Sequence, residues 1–172
     1  MKIKSDFVTN SSSSSFILAW PYPIQKRKDV ESIIQRDTFV DHIFPDSQEK
    51  EPIKIEKSNY HKIMNLVLPV IDNGHVRGVT HDYWDMEKPF CNRHNITKTE
   101  LEEKPLWRRQ MWMETEKLKT QDGMIVLLKF LNDNQGAFLY VFEYSDSDGE
   151  IFSELEHEND WGGLPRITVS HH

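Results

Sequence analysis

Cysteine, glycine and long apolar runs are all scarce in this sequence, and each shortage excludes a class of protein. The 172 residues include a single cysteine, Cys91, which excludes an internal disulfide and predicts a reducing, cytoplasmic compartment. No apolar run approaches the roughly 20 residues of a membrane-spanning helix, so we expect no membrane segment. The seven glycines form neither a P-loop nor a G-x-G-x-x-G pattern, which argues against a phosphate-cradling nucleotide site.

Positive charge is also in short supply. The chain has 28 acidic side chains against 21 Lys and Arg, a net charge of −7, which argues against a general nucleic-acid binder. The excess is concentrated between Glu143 and Asp160, where eight acids and no Lys or Arg give −8. This segment is interpreted as a solvated acidic face, a docking surface for a protein partner with a basic surface, or a weak cation site. The candidate partner-binding residues in it are Asp146, Asp148, Glu150, Glu154, Glu156 and Glu158.

Aromatic residues, in contrast, are plentiful and supply the material of a core. The chain has 5 Trp, 5 Tyr and 9 Phe, large apolar side chains that argue against a disordered protein. A length of 172 residues suits one domain. We therefore divide the chain into a Ser-rich N-terminal segment over residues 1–15, flexible or extended, and a single α+β domain over residues 16–172.

A run of serines comes directly before a short apolar stretch. The stretch Phe16–Trp20 is β-prone and ends at Pro21, which predicts a strand buried on both faces. A serine tract cannot bury enough apolar area to order itself, so we interpret the tract as a lead-in to the strand, outside the core. Its hydroxyls are candidates for a recognition or modification tag. The residues concerned are Ser11, Ser12, Ser13, Ser14 and Ser15.

Apolar residues at helical spacing predict two helices in the first half of the chain. The first covers residues 28–35, with Val30, Ile33 and Ile34 on one face. The second begins near Ser58 and carries a longer apolar stripe that ends before Asn73-Gly74. Residues 45–57 between them are polar and contain two prolines, which indicates a surface loop. The stripe consists of Tyr60, Ile63, Met64, Val67 and Ile71.

A third helix is predicted in the middle of the chain. Thr99 with Glu102 matches a capping box. Pro105 suits the first turn of a helix, and apolar residues recur at helical spacing after it. We expect this helix to end before Asp122-Gly123, because glycine after a polar residue is a common stop signal.

The second half of the chain predicts a β-hairpin. Residues 124–131 form an unbroken apolar run apart from Lys129, residues 132–136 read as a turn that contains glycine, and residues 137–144 alternate as the return strand. Residues 164–170 alternate as a last strand. The predicted fold is therefore α+β, a mostly antiparallel sheet with a central hairpin, packed by about three helices.

Histidine and cysteine give one candidate metal site. Cys91 and His94 form C-x-x-H, half of a zinc ligand set, and His75 and His81 lie upstream. One thiolate and three imidazoles are ligand types that zinc accepts, although the spacing matches no standard module. The alternative is a buried free thiol among surface histidines. Apart from zinc at these four residues, we expect no cofactor.

Catalytic and nucleic-acid signals are weak. The chain has no G-x-S-x-G elbow, and a Cys-His pair works only when the two side chains meet in space, so no catalytic residue is assigned. Trp107-Arg108-Arg109 and Trp112 place aromatics beside arginines, as in single-strand binding, but Glu114 and Glu116 follow at once. An exposed Trp112 would more often mark a protein contact, so we add it to the candidate partner-binding residues.

The opening MKIKSDFVTNSSSSSFIL resembles the start shared by a group of small bacterial and phage proteins of unknown function. The shared pattern is a short basic start, F-V-x-N, about five serines and then Phe, and it covers Met1 to about Leu18 here. The ending from Leu164 to His171 is similar to the ends of some of those proteins. The resemblance implies a bacterial or phage source and a cytoplasmic location, and it implies no activity and no catalytic residue.

These observations lead to one expected function and one alternative. The concentrated acidic segment, the aromatic-rich composition and the absence of a strong catalytic motif predict a non-enzymatic protein-interaction or regulatory accessory protein. The alternative is a zinc-binding domain or metal-dependent hydrolase that uses His75, His81, Cys91 and His94.

Overall fold

The computed structural model describes residues 13–49, 51–79, 81–145, 155 and 161–171. These residues form five strands, six α-helices and one short 3-10 turn at Lys57–Asn59. The strands are β1 (Ser13–Trp20), β2 (Ile53–Lys54), β3 (His75–Val76), β4 (Phe138–Ser145) and β5 (Arg166–Ser170). The helices are α1 (Arg27–Glu31), α2 (Asp37–Glu49), α3 (Tyr60–Asp72), α4 (Tyr83–His94), α5 (Lys98–Glu103) and α6 (Pro105–Asp133).

The strands form one antiparallel sheet in the order β2-β4-β1-β5-β3. β1 lies at its centre and pairs along its whole length with β4, from Ser13 opposite Ser145 to Trp20 opposite Phe138. β5 pairs with the other edge of β1. The α+β class and the antiparallel sheet are thus confirmed, as are a strand at Phe16–Trp20 and a last strand near the end of the described chain.

The sheet lies between two helical layers because β1 is apolar on both faces. Phe16, Leu18 and Trp20 face a core shared with α1 and α2. Ile17 and Ala19 face a second core shared with α3 and the C-terminal half of α6. A smaller third cluster joins α4 and α5 to the N-terminal half of α6. None of the helices in the described part of the chain has the length and hydropathy needed to cross a bilayer.

The predicted hairpin is wrong. Residues 124–131 continue α6, and the partners of β4 are β1 and β2. Residues 124–131 show no helical spacing of apolar residues in the sequence, because apolar side chains occupy exposed positions of the helix as well as buried ones. Leu127 and Leu131 are fully buried, whereas Ile125 is 64% exposed. The expectation of about three helices is also too low.

Three local predictions need correction. α6 does not end at Asp122-Gly123, because Gly123 is buried inside the helix and lets α3 and β3 approach it. The polar stretch expected as a loop over residues 45–57 begins inside α2, which runs through Pro45 to Glu49. The capping box is formed by Thr97 with Glu100, two residues earlier than expected.

The serine tract is not a lead-in outside the core where the structure describes it. Ser13, Ser14 and Ser15 belong to β1, and Ser14 and Ser15 are buried. The reason is that their backbones pair with β4 on one side and, from Ser14 onward, with β5 on the other. The sheet therefore orders the serines, although their side chains supply little apolar area. Ser11 and Ser12 lie outside the described residues.

Candidate functional site

The four predicted zinc ligands do not converge. His75 lies in β3, His81 precedes α4, and Cys91 and His94 lie on α4. Two of the three imidazoles contact different acidic side chains. His81 Nε2 lies 2.5 Å from Asp122 Oδ2, and His94 Nε2 lies 3.0 Å from Glu114 Oε1. Within the described ranges, no group of three His, Cys, Asp or Glu side chains is placed to hold a metal ion.

The candidate partner-binding residues divide between two parts of the chain. The six acidic positions lie outside the described residues, so the structure gives them no geometry. Trp112 lies on α6 and is 56% exposed. It belongs to a surface that we call the α6 surface and define by five residues: Leu106, Arg109, Trp112, Met113 and Lys117.

The α6 surface exists because the helix uses two different faces for packing. Its N-terminal half buries Met111 against α4 and α5, and Thr115, one turn further along, is also buried, which leaves the opposite side of the helix open. Leu106 and Met113 are 73% and 57% exposed. They line a shallow groove of about 450 Å³ together with Arg109, Gln110, Glu114 and Lys117. Trp112 lies next to Arg109 on the helix, since residues three apart are neighbours.

A second site is formed by a serine and a histidine from opposite ends of the chain. Ser15 Oγ lies 2.9 Å from His171 Nε2, although 156 residues separate them in sequence. The antiparallel pairing of β1 with β5 brings them together, because the His171 N–H donates to the Ser13 carbonyl over 3.0 Å and continues the ladder. Ser15 is 2% exposed and His171 is half-buried, so this contact is partly buried.

The second ring nitrogen of His171 fixes its tautomer. His171 Nδ1 lies 3.1 Å from the backbone oxygen of Asn73, at the end of α3. A carbonyl oxygen can only accept a hydrogen bond, so Nδ1 carries the hydrogen and donates it. In the neutral imidazole this leaves Nε2 as the acceptor for the Ser15 hydroxyl hydrogen.

Gly74 makes room for this arrangement. A methyl group at position 74 would lie 2.8 Å from His171 Nδ1 and 2.7 Å from the backbone oxygen of Ser170. Both distances are shorter than normal van der Waals contact. Glycine at this position therefore allows the turn between α3 and β3 to pass close to the His171 ring.

Ser15 also lines a cavity. The cavity measures about 320 Å³ and lies between β4, β2 and α3. Its walls are mainly aliphatic, with two carboxylates, Glu51 and Glu143, both exposed. The aliphatic lining comes from Ile53, Leu66, Val70, Leu139 and Val141. We call this space, with Ser15 and His171, the serine cavity.

A neighbouring histidine shows the electrostatics of this end of the sheet. Burial lowers the pKa of His75 below its usual range, and the Lys119 ammonium lowers it further. Glu116 raises the pKa of His75, and His171 lowers it by the smallest of these effects. The neutral form of His75 is therefore favoured close to His171.

Sequence reasoning missed the serine cavity. The pair Ser15 and His171 has no local motif, and only the pairing of the first and last strands joins them. The only sequence signal was the alternation of side chains along a strand. Ser15 and Ile17 are two residues apart and therefore lie on the same face of the sheet, and Ile17 is buried. This alternation places the Ser15 side chain on the same face of the sheet as the core that contains Ile17.

Comparison with known proteins adds no assignment. No family model, curated protein or solved structure matches this chain.

Proposed function

We propose that this chain is a cytoplasmic accessory protein of bacterial or phage origin that acts by binding another protein through the α6 surface. The observation that carries the proposal is the exposure of three large apolar side chains within about two turns of one helix, Leu106, Trp112 and Met113. Contiguous apolar patches of a few hundred Å² or more, rimmed by polar residues, are typical of protein contacts. Tryptophan and arginine are also the side chains most enriched among residues that dominate binding energy.

The charges on this surface define the chemistry of the partner. Arg109 and Lys117 are exposed, and neither has an ion-pair partner among the residues that the structure describes. Uncommitted cations beside apolar side chains favour a partner that presents apolar residues flanked by carboxylates. We therefore infer a partner segment that is apolar and acidic together, and the groove between Leu106 and Met113 accommodates one apolar side chain of it.

The acidic segment contributes a second, independent contact in this proposal. The sequence places eight acids between Glu143 and Asp160, and we expect them to face a basic surface of the protein partner. Neutralising Glu154, Glu156 and Glu158 to glutamine should weaken binding and reduce its salt dependence, because fewer charges steer the encounter. The α6 surface and the acidic segment can be tested separately.

The test places a photo-cross-linking amino acid at Met113 and, as a matched control, at Ile125. Both positions are exposed and apolar on α6, and Ile125 lies outside the α6 surface. We expect a defined protein to be cross-linked from position 113 and not from position 125. The cross-linked peptide should carry apolar residues next to Asp or Glu.

Affinity measurements on the purified pair complete the test. Met113→Asp and Arg109→Glu should each weaken binding at least about tenfold, which corresponds to roughly 1.4 kcal/mol, and Ile125→Asp should leave the affinity unchanged. A partner bound equally well by Met113→Asp and wild type would contradict the proposal, as would cross-linking only to a second copy of this chain.

A further inference from the structure

We propose that Ser15 is a nucleophile activated by His171, and that the serine cavity takes the acyl group of a neutral ester with a short aliphatic chain. This activity is separate from protein binding by the α6 surface, because the two sites share no residue. It also departs from the expectation drawn from the sequence, where no catalytic residue was assigned.

The geometry meets the requirement for a base-activated hydroxyl. The nucleophile and its base must lie within hydrogen-bond distance, about 2.6–3.2 Å, with the base oriented by a third group. Ser15 Oγ lies 2.9 Å from His171 Nε2, and the Asn73 carbonyl orients the ring through Nδ1. In this arrangement the backbone carbonyl fills the orienting role that a carboxylate fills in a catalytic triad.

The cavity defines the substrate class. Its aliphatic walls favour an apolar acyl chain, and about 320 Å³ is at the lower end of the range for small-molecule sites. Glu51 and Glu143 at the cavity disfavour anionic substrates. A neutral ester with a short aliphatic acyl chain satisfies both conditions.

The reaction balances with water as the second substrate. Ser15 Oγ bonds to the acyl carbon while its proton passes to His171 Nε2. The ester C–O bond then breaks, and the imidazolium returns the proton to the departing alcohol. Water attacks the acyl-serine and gives one proton to His171. Ser15 Oγ leaves the acyl carbon and recovers that proton, so a carboxylic acid is released and both side chains are regenerated.

The first experiment treats the full-length protein with a butyl fluorophosphonate probe, which phosphonylates activated serines with loss of fluoride. Intact mass should rise by one adduct, and peptide mapping should place the adduct on Ser15. Ser15→Ala should abolish labelling. Ser14→Ala is the matched control, because Ser14 is a buried serine of the same strand that does not line the cavity, and it should label at the wild-type rate.

Two further variants separate a catalytic role from a structural one. His171→Gln should lower the labelling rate at least about a hundredfold, as expected for the loss of a general base. Leu66→Trp should slow labelling by narrowing the cavity, whereas Leu68→Trp should not, since both side chains are partly exposed on α3 and only Leu66 lines the cavity. Neither Leu66 nor Leu68 takes part in the Ser15–His171 hydrogen bond.

The turnover assay uses p-nitrophenyl butyrate with the same variants. Hydrolysis that disappears in Ser15→Ala and persists in Ser14→Ala supports the proposal. Absence of probe labelling on Ser15 of the wild-type protein would overturn the proposal that Ser15 is a nucleophile. This measurement uses the unmutated chain, so it does not depend on whether any variant folds. Labelling on Ser15 that is unchanged in His171→Gln overturns the role given to His171.

Discussion

The phenol oxygen of Tyr140 accepts a hydrogen bond from the backbone N–H of Ile24 over 2.7 Å. Tyr140 is buried in β4, and Ile24 lies in the connection between β1 and α1. Burial raises the pKa of Tyr140, and the N–H of Ile24 opposes that rise. The contact thus satisfies a buried donor that no strand ladder reaches, and it fixes the chain that leads from the sheet to the first helical layer.

Tyr140→Phe should therefore destabilise the fold. The substitution keeps the ring but removes the acceptor, and a buried N–H left without a partner costs about 1–3 kcal/mol. Urea unfolding followed by circular dichroism measures the difference. Tyr22→Phe is the control, because the Tyr22 hydroxyl also makes hydrogen bonds but is exposed. It should change stability by less than about 0.5 kcal/mol, and equal losses in the two variants would contradict the prediction.

The sequence was sufficient for those elements whose packing demands are local. The Phe16–Trp20 part of β1 was predictable because an apolar run closed by a proline has few alternatives. α3 was predictable because Ile63, Val67 and Ile71 repeat at helical spacing and are all buried. α6 was not, because its two halves pack against different partners. A helix whose buried face changes along its length has no single apolar stripe, and its last part reads as a continuous apolar run.

The candidate sites differ in the same way. Exposure of Trp112 was predictable, because it follows Met111 on a helix whose buried face includes Met111. The Ser15–His171 contact depends on pairing between the first and last strands, which no local pattern specifies. Convergence of the four zinc candidates could not be judged from the sequence. Cys91 and His94 are close in sequence on α4, but their spacing does not determine where β3 places His75 or where the segment before α4 places His81.

Gly123→Ala should lower stability even though alanine is the better helix former. A methyl at position 123 would lie 2.9 Å from Cγ2 of Ile71 and 2.9 Å from Cγ2 of Val76. Both neighbours are β-branched and stiff, so they cannot move aside without cost. Overpacking of about 1–3 kcal/mol exceeds the gain in helix propensity of roughly 1 kcal/mol.

Thermal unfolding measures this effect, and a double variant locates it. Gly123→Ala should lower the melting temperature by a few degrees, and Val76→Ala should recover part of that loss, because it removes one of the two clashing methyl groups. Gln121→Ala, at an exposed position of α6, serves as the control for helix propensity. A Gly123→Ala protein that melts above wild type would show that α6 can move away from β3.

Acid should destabilise the protein in part through His75. Burial is the main cause that lowers the pKa of His75, Lys119 lowers it further, Glu116 opposes both, and His171 adds a small lowering. Among the described residues His75 Nδ1 has no hydrogen-bond partner, and a proton there would gain an ion pair with Glu116 Oε2 at 3.9 Å but no hydrogen bond. Because the unfolded chain binds this proton more readily, the stabilisation is present above about pH 6.5 and is lost as the pH falls below it.

Between about pH 7.5 and about pH 5.5, the melting temperature of wild type should therefore fall further than that of His75→Gln. His61→Gln, at an exposed position of α3, should fall as wild type does, and equal falls in wild type and His75→Gln would assign the acid sensitivity to other groups.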